Sequence, residues 1–183
     1  ADNPPEGLEG MVDVDHAGVT GYSFDGYNTY AVSGARIDEN YYRAQCPEPD
    51  EITFPLVYEL SAFGCWPLRE WEDFTAHAAA YKAAAEDGLW KPMTDPRIRA
   101  VAPMAGEGWW LFGERGLNAV NIPVLIMGGT VDSLYKENAL MYTKIGSSDK
   151  NLISFIGQDH MRIYDEDFVA LLAHFLVAFF SHH

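Results

Sequence analysis

The sequence predicts an α/β protein, a mostly parallel sheet flanked by helices and carrying a helical insertion. Three observations predict it. Short apolar runs near residues 16–21, 98–104, 123–128 and 152–156 each end at or close to a glycine, and a turn and a segment of helical character follow most of them. The stretch from about Asp38 to Met93 interrupts that alternation with a dense set of aromatic residues. Residues able to do chemistry lie just past the strand ends, where open α/β sheets place their ligands.

In chain order, residues 1–10 are loop-like, rich in proline and glycine. The first apolar run leads into Gly21-Tyr22-Ser23-Phe24-Asp25-Gly26-Tyr27. This is the layout of a nucleophile elbow, a sharp turn that lifts a serine from the end of a strand into a helix. Such a turn needs small residues two positions to either side of the serine. Gly21 fits upstream; Asp25 does not fit downstream, and Gly26 comes one residue late. The segment from Phe24 to Ala35 is the helix the elbow feeds. Its partly positive end favours a developing oxyanion, and the backbone N–H of Phe24 is the oxyanion-hole donor.

Residues 1–40 and 95–183 are expected to form the core, with 41–94 as a lid. That insertion holds Tyr41, Tyr42, Phe54, Tyr58, Phe63, Trp66, Trp71, Phe74, Tyr81 and Trp90, and a helix is expected over Glu70–Glu86. Both cysteines, Cys46 and Cys65, lie in it beside loop signals. A bridge between them would suit an exported, extracellular protein; the alternative is two buried thiols. No histidine pair of ligand spacing accompanies them, so no metal site is expected.

From Asp95 the alternation resumes. Ile98–Met104 reads as a strand, and the Gly-rich stretch Ala105–Gly113 as a loop at its carboxyl end. Trp109 and Trp110 in that loop, with Tyr22 beside the serine, are the expected walls of the substrate pocket. The run from Ile122 to Gly129 is a buried strand with Asp132 three residues past its second glycine. Ser133–Gly146 is helical. The strand in Asn151–Ile156 ends at Gly157, with His160 three residues later. Asp165–Phe180 is an apolar closing helix with Asp165 as N-cap, and His182 and His183 form a solvated tail.

Ser23, Asp132 and His160 therefore occur in the chain order serine, acid, histidine, which defines one class of catalytic triad. In that chemistry His160 takes the Ser23 proton during attack on an ester carbonyl, and Asp132 holds the imidazole's tautomer and steadies its charged form. Asp159 is a rival acid, disfavoured by its place beside the histidine rather than at a strand end. A purely structural loop role is the alternative for His160.

The elbow, Ser33-Gly34-Ala35-Arg36, Asp95-Pro96-Arg97-Ile98-Arg99-Ala100-Val101, Pro123 through Asp132, and Asp159-His160 resemble predicted dienelactone hydrolases. These are α/β-hydrolases related to platelet-activating-factor acetylhydrolases, and they include carboxylesterases and some polyester-degrading enzymes. The resemblance spans most of the chain and is weakest over residues 41–94. It implies the carboxyl-terminal part of an α/β-hydrolase fold, and a serine esterase that needs no cofactor. Family members commonly have histidine before the serine and glycine two residues after it; Tyr22 and Asp25 depart from that pattern.

An enzyme of this fold has several strands before its elbow, yet only 22 residues precede Ser23. The elbow strand is thus expected at a sheet edge, a position natural proteins seldom leave open. An amino-terminal segment or chain completing the sheet is the expected partner. Losing one oxyanion donor typically costs about 10²–10³ in turnover, so full activity is expected to need that part.

The chain has 183 residues, 48% of them hydrophobic, enough for one packed domain. A net charge of −15 argues against nucleic acid or an anionic membrane surface as partner, and no apolar run reaches the length of a membrane span. The pair Asp13/Asp15 and the run Asp165-Glu166-Asp167 lack the pattern of a calcium loop and read as solvated or capping carboxylates. Two rival functions complete the set. Cysteine-type dienelactone hydrolase chemistry is disfavoured because serine occupies the elbow. A non-catalytic fragment serving as a binding or assembly subunit is the alternative outside enzymes.

Overall fold

The computed structural model describes residues 6–11, 13, 15–46, 48, 64–79 and 87–183. Among them lie four strands, β1 (Ala17–Tyr22), β2 (Ile98–Met104), β3 (Val124–Gly129) and β4 (Lys150–Phe155). The helices are α1 (Phe24–Val32), α2 (Glu39–Gln45), α3 (Trp71–His77), α4 (Trp109–Leu117), α5 (Tyr135–Lys144) and α6 (Glu166–His182). The strands form one sheet in the order β1-β2-β3-β4, every pairing parallel. Among the described residues β1 is an edge strand.

Side chains alternate across a strand, so each strand supplies two layers. Val101, Val124 and Ile126 face α1, α4 and α5, where Tyr30, Phe112, Leu117 and Met141 are fully buried with them. Ala100, Ala102, Leu125 and Met127 face the other way, under Leu172 and Phe179 of α6. β3 is buried at all six positions, as a strand covered on both faces should be. Removing an aliphatic or aromatic side chain of this kind from water stabilises by about 1.5–3 kcal/mol.

Several expected boundaries shift by a few residues. The helix after the elbow ends at Val32, three residues before Ala35, and α6 runs on to His182. His183 is not a free tail: its ring packs on Phe179 with centroids 4.7 Å apart. Asp165 does cap α6, its carboxylate accepting the Phe168 N–H at 3.0 Å. The expected Glu70–Glu86 helix is a 3-10 turn over Trp66–Glu70 followed by α3. Residues 80–86 of that span lie outside the described residues, as do Phe54, Tyr58, Phe63 and Tyr81.

The larger correction concerns Ala105–Gly113. Trp109 onward is helix rather than loop, kinked at Gly113. The residues placed before α4 offer it no side-chain cap. Glu137 of α5 provides one instead, its Oε1 accepting the N–H groups of Gly108 and Trp109, both at 2.9 Å. A carboxylate at a helix start also meets the positive end of the helix dipole.

Cys46 and Cys65 form a disulfide. It ties the end of α2 to the residues before the 3-10 turn. Nearby the Tyr42 hydroxyl donates to the Gly64 carbonyl at 2.7 Å, and Tyr42, Cys65, Leu68 and Trp90 are buried in the same core as Phe112.

Candidate active site

Ser23 lies between β1 and α1 with φ 57° and ψ −119°. A non-glycine residue held at positive φ costs roughly 1–3 kcal/mol, and such strain clusters at functional sites. Two glycines make the turn possible. A Cβ on Gly21 would lie 2.2 Å from the Asp25 carbonyl oxygen, and one on Gly26 would lie 2.4 Å from the Cα of Gly106. The downstream position that must be small is therefore residue 26, because that is where α1 meets the β2–α4 connection. Asp25 itself is exposed. The Ser23 N–H donates to the Met104 carbonyl at 3.0 Å, which fixes the turn to the end of β2.

The strand ends bring three sequence-predicted residues together. The Nε2 of His160 is 2.9 Å from the Ser23 Oγ, and its Nδ1 is 2.7 Å from the Asp132 Oδ2. A carboxylate can only accept, so Nδ1–H donates to Asp132. Nε2 is then left as an acceptor for the serine hydroxyl. The Asp132 side chain is 1% exposed, and its other oxygen accepts the Leu134 N–H at 2.8 Å. Backbone bonds stitch the acid loop to the histidine loop, with the Thr130 N–H on Phe155 and the Val131 N–H on Gln158, both at 3.0 Å. Asp159 accepts the Met161 N–H at 3.0 Å, capping the 3-10 turn His160–Tyr164. Phe24 opens α1, so its N–H has no intrahelical acceptor and lies next to Ser23.

Tyr22 lies beside the histidine. Its ring lies against the imidazole, centroids 5.1 Å apart, and its hydroxyl donates to the His160 carbonyl. Burial first, and then the nearby Asp132, Asp159 and Tyr164, push its phenol up to about 12, so it remains a donor throughout the neutral range. With Met104, Met127, Asp132 and Leu172 it lines a hollow of about 20 Å³, room for a water. Trp109 and Trp110, on α4, face the insertion. Trp109 packs on Tyr41 at 5.6 Å, and Trp110 on Tyr42 at 5.9 Å and Tyr27 at 6.4 Å.

Sequence reasoning missed two carboxyls beside this site. Glu107 is 2% exposed, and its Oε1 has no hydrogen-bond partner. Burial, and then the neighbouring Glu137, push it up to about 7, while His160 pulls it the other way. Burial also raises Glu137, opposed by the N–H groups of Trp109 and Gly108. A glutamate between two glycines at a strand end was the only local signal.

The parallel sheet, its flanking helices and the strained serine between a strand and a helix correspond to part of an α/β-hydrolase fold. No family model matches this chain, and no curated protein matches its sequence. Among solved structures it is similar to a cold-adapted esterase from an Arctic intertidal metagenomic library, at 20% identity and TM-score 0.38 over 47% of this chain and 40% of that one. A Paleococcus ferrophilus monoacylglycerol lipase is similar at 22% identity and TM-score 0.34, over 38% and 28% of the two chains. A dienelactone hydrolase from Anabaena variabilis is similar at 16% identity and TM-score 0.45, over 92% and 87%. The chain thus matches less than half the length of the first two.

Proposed function

We propose that this chain is the nucleophile-bearing part of a serine hydrolase that cleaves carboxylic esters, short acyl esters or polyesters, through an acyl-enzyme. The observation that carries the reading is the Ser23–His160–Asp132 hydrogen-bond line, 2.9 Å and then 2.7 Å, at the carboxyl ends of parallel strands. In this mechanism the Ser23 oxygen attacks the ester carbonyl while its proton passes to His160 Nε2. The Phe24 N–H bears on the developing oxyanion. The tetrahedral intermediate collapses, the alkoxide leaves with the proton from His160, and water releases the acid by the same route. Tyr22, Trp109 and Trp110 line the pocket, and residues 41–94 act as its lid.

The edge of β1, which has no strand beside it among the described residues, supports a second element of the reading. An amino-terminal segment or separate chain pairs there, and brings a second oxyanion donor close to Phe24. Intact-mass measurement of the purified sample is expected to show such a polypeptide copurifying, and hydrolysis to rise when it is present.

A fluorophosphonate is expected to label Ser23, and Ser23→Ala to abolish hydrolysis of p-nitrophenyl acetate. Undiminished turnover in Ser23→Ala would overturn the mechanism. If Ser23 stays unlabelled and no ester is turned over, the rival reading of a non-catalytic binding subunit stands.

A further inference from the structure

Beside the line from Ser23 to Asp132 lies a polar cluster which that mechanism does not use. The connection from β2 to α4 is bent by two residues at positive φ, Ala105 (45°) and Gly108 (141°). The bend turns Glu107 inward. The same connection runs along the elbow, since Met104 accepts the Ser23 N–H and Gly106 touches Gly26. Helix α5 holds it from behind, with Asn138 Nδ2 donating to the Gly106 carbonyl at 2.8 Å and Glu137 accepting from Gly108 and Trp109. Helix α1 contributes Tyr30, fully buried. Three buried atoms of this cluster have no hydrogen-bond partner among the described residues: Tyr30 Oη, Glu107 Oε1 and Asn138 Oδ1. Natural proteins keep few such groups, and a role in a nearby site is one reason for keeping them.

We propose that Glu107 is a positioning residue of the ester-hydrolase reaction: a buried carboxyl beside the elbow that steadies His160 while the imidazole carries the Ser23 proton. This rests on the hydrolase reading above. No bond to Glu107 forms or breaks; the proton travels from Ser23 to His160 and on to the leaving alcohol, and Glu107 acts through space.

The division of labour follows from the hydrogen bonds. Two N–H donors favour the charged form of Glu137 against the burial that raises it, and two neighbouring buried carboxylates cannot both ionise cheaply. Glu107, whose Oε1 has no donor, is the one that keeps a proton, with a midpoint of about 7. The charged groups that act on it are Glu137 from α5 and His160 from the loop after β4, while Tyr30 of α1 lies beside Gly106, its phenol raised by burial and by Glu137. Below neutrality Glu107 is an uncharged acid and contributes little. Above it the carboxylate attracts the imidazolium formed during attack, and in a water-poor site one such charge is worth on the order of tenfold in rate.

The test compares the full wild-type chain with Glu107→Gln and Glu107→Asp on p-nitrophenyl acetate from pH 5.5 to 9 (range chosen to bracket the carboxyl midpoint). The ratio of wild-type to Glu107→Gln kcat is expected to rise from near one below pH 6 to about tenfold above pH 8, with KM unchanged. Glu107→Asp is expected to restore most of the alkaline gain. Independently of activity, infrared difference spectra between pH 6 and pH 8 should show a buried carboxylic acid losing its proton in wild type and not in Glu107→Gln. A ratio that stays flat across the range while Ser23 still labels, or no such infrared band, overturns the proposal. Should Glu107→Gln fail to fold by circular dichroism, a folded Glu107→Asp whose rate lacks the alkaline rise overturns it equally. Failure of Ser23 to label sinks the hydrolase reading instead, and the infrared result then reports on the carboxyl alone.

Discussion

The connections after β3 and after β2 each bury a carboxyl at the rim of the same sheet, and they treat it in opposite ways. After β3, Asp132 accepts from the Leu134 N–H and from His160 Nδ1–H, so both of its oxygens are engaged. After β2, Glu107 is as deeply buried, but one oxygen has no partner, and a second carboxylate stands nearby. Burial alone thus does not assign a role to an acid. The donors that surround it do: a carboxylate with donors on both oxygens fixes a neighbour's orientation, and one with an oxygen lacking a donor is free to change charge.

The largest effect that would sharpen this contrast is expected at Asp132. Asp132→Asn keeps the shape but can turn an N–H toward His160 and reverse the imidazole's tautomer, and a loss in kcat of about 10⁴-fold is expected with p-nitrophenyl acetate. A loss under tenfold would erase the distinction between the two connections.

Next comes Glu137, the device that holds the β2 connection. Glu137→Ala leaves the Gly108 and Trp109 N–H groups without their acceptor at the start of α4, and a loss of about 1–3 kcal/mol is expected in urea unfolding. In the same variant Glu107 loses its carboxylate neighbour, so its midpoint should fall, seen as the infrared carboxyl signal disappearing at lower pH.

Stability against pH gives a third measure. The folded protein holds a proton on Glu107 up to about 7, whereas the ordinary glutamate value is 4.5. Between those values the native state binds more protons than the unfolded one, so this group's contribution is fully present below 4.5 and is lost as pH rises toward 7. Urea midpoints measured at steps across that window should fall more steeply in wild type than in Glu107→Gln. Parallel curves would break the comparison.

The smallest effect is expected from Tyr22→Phe. It removes the donor to the His160 carbonyl but keeps the ring against the imidazole, at a cost of about 1 kcal/mol in thermal unfolding and a modest loss of kcat.

Much of the sheet was legible because apolar runs closed by glycine are local signals. β2 begins and ends at the residues the sequence indicates, and β1, β3 and β4 lie within a residue or two. The residues gathered at the rim were legible from chain order and from their position past strand ends. What escaped was set by contacts between distant residues. The glycines at 106, 108 and 113 read as loop, but α4 begins at Trp109 because Glu137, nearly thirty residues on, caps it. The elbow looked flawed at Asp25 because local spacing cannot show that crowding falls at Gly26, against Gly106. The hydrogen bond of the Tyr22 hydroxyl escaped because its acceptor belongs to His160, far along the chain. For Glu107 the flanking glycines were the only local signal, since an unpartnered oxygen is a property of the packed interior.

The Cys46–Cys65 bridge makes the sample's handling part of its chemistry. The bonded residues are 19 apart, and closing a loop of that size stabilises by about 3 kcal/mol. Material made where thiols are kept reduced, or stored with dithiothreitol, would lose that contribution, and with it the tether beside Gly64, against which Trp110 packs. Preparations with and without the crosslink should therefore be compared as two different proteins.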